Sequence, residues 1–192
     1  MSVLSDAHIV GAVRAGEIEV DPFFEDSVQP ASYDVHIGSS FVRFSDNIFA
    51  MNPLTMVPTG EEVVVNEGTI TILPQKFMLA TTIEYVKLGN SLVSRVEGVS
   101  SLGRLGLVVH STAGYIDPGF AGQITLELFN MAPYAMRLTS GMRIAQIAFE
   151  RLTGPSMGYK GRYQSQLGVT RSRYGLVDLR QESVVEPKEK YL

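Results

Sequence analysis

Residues Val96–Asn130 read VEGVSSLGRLGLVVHSTAGYIDPGFAGQITLELFN. The last third alternates apolar and polar residues at period two, which predicts a strand with one buried face. Ile124, Leu126 and Leu128 share that face, and Glu127 points the other way, between Thr125 and Phe129. On a solvated face Glu127 is an ordinary surface residue. On a face that lines a cavity it is a carboxylate among apolar walls, the placement of a general base or proton shuttle. The residues leave both readings open.

Just before this strand, Asp117-Pro118-Gly119-Phe120 has Pro at the second and Gly at the third position of a tight turn. Asp117 either caps its own backbone or accepts a hydrogen bond from a sugar hydroxyl, with Phe120 packed on the sugar ring. Further upstream, Ser100-Ser101-Leu102-Gly103-Arg104 offers two hydroxyls, backbone N–H groups beside a glycine and a guanidinium. It is either an oxyanion cradle or a plain turn with a surface arginine. The spacing of a nucleotide-binding P-loop is missing.

Outward from this block the chain is mostly β-type. Val63–Val65, Thr69–Leu73, Phe77–Leu79, Leu92–Val96, Gln123–Phe129 and Arg143–Phe149 read as strands, and Val35 and Ile37 alternate with Asp34 and His36. Eighteen Gly and nine Pro punctuate them. The pattern predicts a mainly β fold, a distorted β-barrel or jelly-roll-like structure with one short N-terminal helix. For that helix Ser5 is the expected N-cap, Asp6 suits the first turn, Ile9, Val10 and Val13 form the buried face, and Gly16 is the stop.

The chain has 192 residues, 45% hydrophobic and 19% charged, with a net charge of −4. That is a globular composition long enough for a core, with no whole-protein pull toward nucleic acid or membrane surfaces. No apolar run is long enough to span a bilayer. MSVLSDAHIV shows no secretory signal, so a cytoplasmic protein is expected. Cysteine is absent, and His8, His36 and His110 lack metal-site spacing. Zinc-dependent nucleobase deamination needs a cysteine-bearing metal motif and is excluded.

Two stretches contain no acid. One is 98–116, with Arg104; the other is 151–177, with Arg151, Lys160, Arg162, Arg171 and Arg173. The second is also rich in Gly, Ser, Gln and Tyr, which suits a lid over a phosphate chain; a solvated basic loop is the plainer reading. A catalytic domain over 1–175, with 155–175 as a mobile lid, and a charged tail over 176–192 are expected.

The segments Leu4-Ser5-Asp6, Gln29-Pro30-Ala31-Ser32-Tyr33-Asp34, Val96-Glu97-Gly98, Ser100 to Leu107, His110 to Phe120, and Tyr163-Gln164-Ser165-Gln166-Leu167-Gly168 occur in this order. From about residue 3 to about residue 173 the chain resembles the dCTP deaminases of the dUTPase superfamily. The resemblance implies a homotrimer with active sites at subunit interfaces and zinc-independent deamination of dCTP at cytosine C4. It implies Glu127 as the proton shuttle, the Ala113 carbonyl as the group that orients the attacking water, and Ser100 and Arg104 as partners in the catalytic network. It implies substrate contacts from Ser101, Thr112, Tyr115, Ile116, Gln146, Tyr159, Arg162 and Gln166. Ser101, Tyr159, Arg162 and Gln166 would take the triphosphate, Asp117 the 3′-hydroxyl and Phe120 the deoxyribose. Mg²⁺ would arrive on the triphosphate rather than in a protein cage.

The resemblance is stronger to bifunctional members, which convert dCTP to dUMP, because Gly114 and aromatic Tyr115 stand where single-function members carry His and Arg. Val99 departs from the Arg or Lys common before the two serines, and the 159–162 segment is shorter than in many relatives. A single-function deaminase releasing dUTP, a dUTPase alone, and a non-catalytic nucleotide-binding trimer are the alternatives. dCTP, dUTP and, as a feedback ligand, dTTP are the expected partners, with no nucleic acid or membrane.

Overall fold

The computed structural model describes residues 2–44, 60–65, 68–110 and 112–174. The expected tail, 176–192, and the end of the expected lid at residue 175 lie outside the described residues, as does Ser111.

In chain order, β1 (Ser2–Val3) leads into α1 (Asp6–Arg14), β2 (Ile18–Asp21), β3 (Val28–Gln29) and the long β4 (Ser32–Phe44). Next come β5 (Gly60–Val64), β6 (Thr69–Ile72), β7 (Phe77–Leu88) and β8 (Leu92–Gly98). The short helix α2 (Ser100–Gly103) is followed by β9 (Leu107–Val109), β10 (Tyr115–Ile116), β11 (Ala121–Asn130), β12 (Met136–Thr139) and β13 (Arg143–Arg151). The main sheet runs β10-β8-β13-β4-β7-β11-β9, with β1, β2, β3 and β5 added beside this path; β12 and β6 pair separately. All these pairs are antiparallel.

The sheet curls into a distorted half-barrel because β4 serves both sides. Its first half pairs with β13 and its second half with β7 and β5. Gly38 stands at the irregularity between these halves, where a Cβ would lie 2.8 Å from the Thr81 methyl. Tyr33, Val35, Ile37 and Phe41 of β4 meet Phe149 and Ile147 of β13 and Leu126 and Leu128 of β11 in one buried core.

Three local expectations need correction. On α1 the buried residues are Ile9 and Ala12, with Val13 against the core, while Val10 is only half-buried. Ser5 stands at the N-cap as expected, but its hydroxyl makes no capping bond and pairs instead with His8 Nδ1 at 2.8 Å. The helix start is satisfied by other acceptors, since Asp6 N–H donates to the Pro30 carbonyl and Ala7 N–H to the Asp6 carboxylate. On β4 the expected alternation fails at Asp34, which is buried beside Tyr33 and Val35. Asp34 faces Gln146 across the sheet and accepts from Arg143 at 3.4 Å. Burial pushes its carboxyl above the ordinary range, against the pull of Arg143 and His36.

β7 is also longer than its expected core of 77–79. Residues Met78 to Thr82 are buried in succession, so the strand is covered on both faces and shows no alternation. Opposite it, the register of β11 shifts between Gln123 and Thr125. The Gln123 amide donates to the carbonyls of Thr82 and Ile83, and Ile124 N–H donates to the Thr82 hydroxyl. Glu84 is wholly buried there, and both its carboxylate oxygens accept from His36 N–H. His36 Nδ1 adds a 2.5 Å contact to Glu84 Oε1.

Candidate active site

The odd positions of β11 answer the question of which face is wet. Ile124, Leu126 and Leu128 are buried in the core, while Thr125 and Glu127 form part of the wall of a cavity of about 540 Å³. Phe44, Phe77 and Leu79 give one end of this cavity an apolar lining, and Phe44 and Phe77 stack at 5.6 Å.

The loop after β9 brings polar groups to Glu127. His110 adopts φ 54°, and its N–H donates to the Glu127 carbonyl at 2.8 Å. The Thr112 hydroxyl donates to Glu127 Oε2 at 3.4 Å. His110 Nε2 lies 2.8 Å from the Ala113 carbonyl, which can only accept, so Nε2 carries the proton. His110 Nδ1 is buried without a hydrogen-bond partner among the described residues. The Ala113 carbonyl is thereby fixed in the cavity wall with one lone pair left for a ligand or water. Gly114 packs on the main chain of β8, where a Cβ would lie 2.7 Å from the Val96 carbonyl. That close approach holds the loop onto the barrel and leads into β10.

The Asp117–Phe120 turn forms as its residues predict. Phe120 N–H donates to the Asp117 carbonyl at 3.1 Å, and Gly119 takes φ 77°. Asp117, Ile116 and Phe120 line the cavity. The strap of residues 155–174 docks on this turn. Tyr159 N–H donates to the Pro118 carbonyl at 2.6 Å, and the Phe120 and Tyr159 rings lie 6.0 Å apart. Farther along, the Gln166 side chain donates to the Gln123 carbonyl at 2.7 Å, and Thr170 N–H donates to the Thr125 hydroxyl. Arg171 reaches across to the Gly60 carbonyl at 2.6 Å.

Ala113, Tyr115, Ile116, Asp117, Phe120 and Glu127 are thus gathered around one space, with Tyr159 and Gln166 entering from the strap. Thr112 joins them through Glu127. The remaining expected site residues lie elsewhere in the chain. Ser100 and Ser101 are exposed on α2, and Arg104 is exposed at its end. Gln146, on β13, accepts from the Ser32 hydroxyl at 2.9 Å. Arg162, partly buried on the strap, donates to the Arg173 carbonyl and is not part of the cavity wall.

His110, Thr125, Tyr163 and Arg171 line the cavity but were not among the expected contacts. Thr125 was detectable, since it shares the Glu127 face at i−2. His110 was not, because its role depends on a left-handed backbone turn. Among the described residues no group of three or more His, Asp or Glu is placed to hold a metal, and no helix is long and apolar enough to cross a membrane.

Residues 3–152 match a family model described as dCTP deaminase-like. A protein of Salinispora arenicola named "dCTP deaminase, dUMP-forming" is 40% identical over 187 residues, covering 89% of this chain and 94% of that protein. One of the same name from Streptomyces avermitilis is 43% identical over 180 residues, with coverage of 89% and 94%. Among solved structures, the 2′-deoxycytidine 5′-triphosphate deaminase from Agrobacterium tumefaciens shares the fold, with a TM-score of 0.62 at 22% identity. That match covers 78% of this chain and 48% of the other.

Proposed function

The chain belongs to the dCTP deaminase-like family, and from that membership we propose that it hydrolyses dCTP to dUMP, diphosphate and ammonia in the Glu127 cavity. The supporting observation is the placement of Glu127 beside the Thr112 hydroxyl and the fixed Ala113 carbonyl. A water held between that carboxylate and that carbonyl adds to cytosine C4. Glu127 takes one proton from the water and delivers it to the ring nitrogen, then carries the proton of the new C4 hydroxyl to the amino group, so ammonia departs and uracil remains. A second water attacks the α-phosphorus and releases diphosphate. Phe120 packs on the deoxyribose, Asp117 accepts from the 3′-hydroxyl, and Tyr159, Arg162 and Gln166 receive the phosphates. The dUMP-forming reaction, rather than release of dUTP, agrees with the names of the relatives above.

The cavity's carboxylates, Asp117 and Glu127, do not form a cage, a donor set that fits magnesium carried in by triphosphate oxygens and water. Magnesium there neutralises phosphate charge. dTTP shares the sugar and triphosphate and competes for the same space. A cytoplasmic setting, with the deoxynucleotide pool, goes with this reading.

Ser100, Ser101 and Arg104 complete the site of a neighbouring copy in a homotrimer. Beside α2, Leu105, Met131 and Tyr134 are all more than half exposed, and the Tyr134 hydroxyl is tied to the Leu105 carbonyl. This apolar face suits a subunit contact. Each site then draws on two chains, and a mixing experiment tests that sharing. Glu127→Gln and Arg104→Ala proteins are each expected to be nearly inactive. After unfolding and refolding together in equal amounts, roughly a quarter of the sites regain both native groups, and activity returns to about that level. No recovery would place Arg104 and Glu127 in the same chain's site.

Gly114→Ala is expected to lower dCTP turnover at least about 10-fold, because the added Cβ meets main chain rather than a movable side chain. Steady-state kinetics beside a thermal melt checks this; the loss of activity should exceed any loss of stability.

A further inference from the structure

The strap carries a feature that its proposed role in phosphate binding does not use. Two Arg-Tyr dipeptides, Arg162-Tyr163 and Arg173-Tyr174, are locked to each other reciprocally. The Arg162 guanidinium donates to the Arg173 carbonyl at 3.4 Å, and the Arg173 guanidinium donates to the Arg162 carbonyl in a short bond. Arg162 lies over the Tyr174 ring at 5.6 Å, and Arg173 lies over the Tyr163 ring at 6.0 Å. Arg173 N–H also donates to the Tyr163 hydroxyl, and Tyr163 N–H to the Tyr159 hydroxyl. Both clasped rings, Tyr163 and Tyr174, line the cavity. Each guanidinium therefore rests on a ring that forms part of the cavity wall.

The barrel treats its arginines differently. Arg95 is paired with Glu150, Arg143 with Asp26 and Asp34, and Arg151 with Glu17. Among the described residues Arg173 makes no ion pair; its partners are a carbonyl and an aromatic face. A guanidinium held this way keeps its full charge, and its planar donor fork matches a phosphate oxygen pair far better than a single carbonyl. The clasp thus positions a cation without neutralising it.

We propose that Arg173 is a further triphosphate-binding residue, parked against Arg162 until the β- and γ-phosphates displace the clasp. The nucleoside end of the substrate gains nothing from the exchange. This inference rests on the reading of the cavity as a deoxynucleotide site.

The test measures dCTP and dCMP binding with Mg²⁺ by calorimetry, using the full chain carrying Glu127→Gln so that neither ligand is consumed. The Glu127→Gln protein is expected to bind dCTP more tightly than dCMP. Adding Arg173→Ala should shrink that preference about 10- to 100-fold while leaving dCMP affinity within about twofold. Arg173→Lys, which keeps the charge but not the fork, should recover part of it. An unchanged preference overturns the proposal, and so does an equal weakening of both nucleotides, which marks a merely structural strap. If the Glu127→Gln protein itself does not distinguish dCTP from dCMP, the triphosphate-site reading fails and this inference with it.

Discussion

Replacement of Glu127 by Gln is expected to slow deamination of dCTP by about 10²–10⁴-fold and to change dCTP affinity by no more than a few-fold. The amide keeps the volume and one acceptor oxygen for Thr112, so the cavity wall and the Thr112 contact survive. Only the ability to take and return a proton is lost. The other carboxylate on the cavity wall is Asp117, at the turn that receives the sugar. Ammonia release and calorimetric binding on the same preparation separate the two effects. Near-native ammonia release from the variant would remove Glu127 from the chemistry.

The second large effect concerns stability. His36→Ala is expected to destabilise the fold by about 3–5 kcal/mol, because it leaves the wholly buried Glu84 carboxylate with only a main-chain donor on the His36 side. For a chain of this size that corresponds to a drop of about 6–20 °C in thermal midpoint. A His36→Ala, Glu84→Leu double variant should lose less than the sum of the single changes, since no unpaired carboxylate remains. A loss under about 1 kcal/mol for His36→Ala would show that Glu84 is held by the backbone alone. The pair also matters to the site. Glu84 closes the irregular turn of β7 whose carbonyls bind Gln123, and Gln123 anchors Gln166 and Gly168 of the strap.

Much of this arrangement was legible from local chemistry. The Asp117–Phe120 turn follows from where Pro118 and Gly119 stand, and β11 follows from strict alternation about Glu127. Both are signals carried by a few adjacent residues. What was hidden depends on distant segments. Alternation could not say that the Thr125–Glu127 face looks into a cavity, because the cavity is made by the 110–117 loop and the 155–174 strap folding over it. Asp34 breaks the β4 pattern because it stands opposite Gln146 of β13 and Arg143 supplies a partner. Ala12 replaces Val10 on α1 because the helix lies at a slightly different rotation from the one hydrophobicity alone suggests. Motif order pointed to Ser100, Ser101 and Arg104, yet within one chain they stand apart from Glu127. The Arg162–Arg173 clasp was likewise hidden, since a basic, acid-free stretch reads the same whether its arginines point at solvent, at each other or at a ligand.

The most direct measurement is a product analysis of the purified chain with dCTP and Mg²⁺, resolved by anion exchange alongside an ammonia assay. The account predicts dUMP, diphosphate and ammonia in equal amounts, with no build-up of dUTP at any time point. Accumulating dUTP would contradict the dUMP-forming reaction, and unchanged dCTP would contradict the assignment of Glu127 and its cavity to deamination altogether.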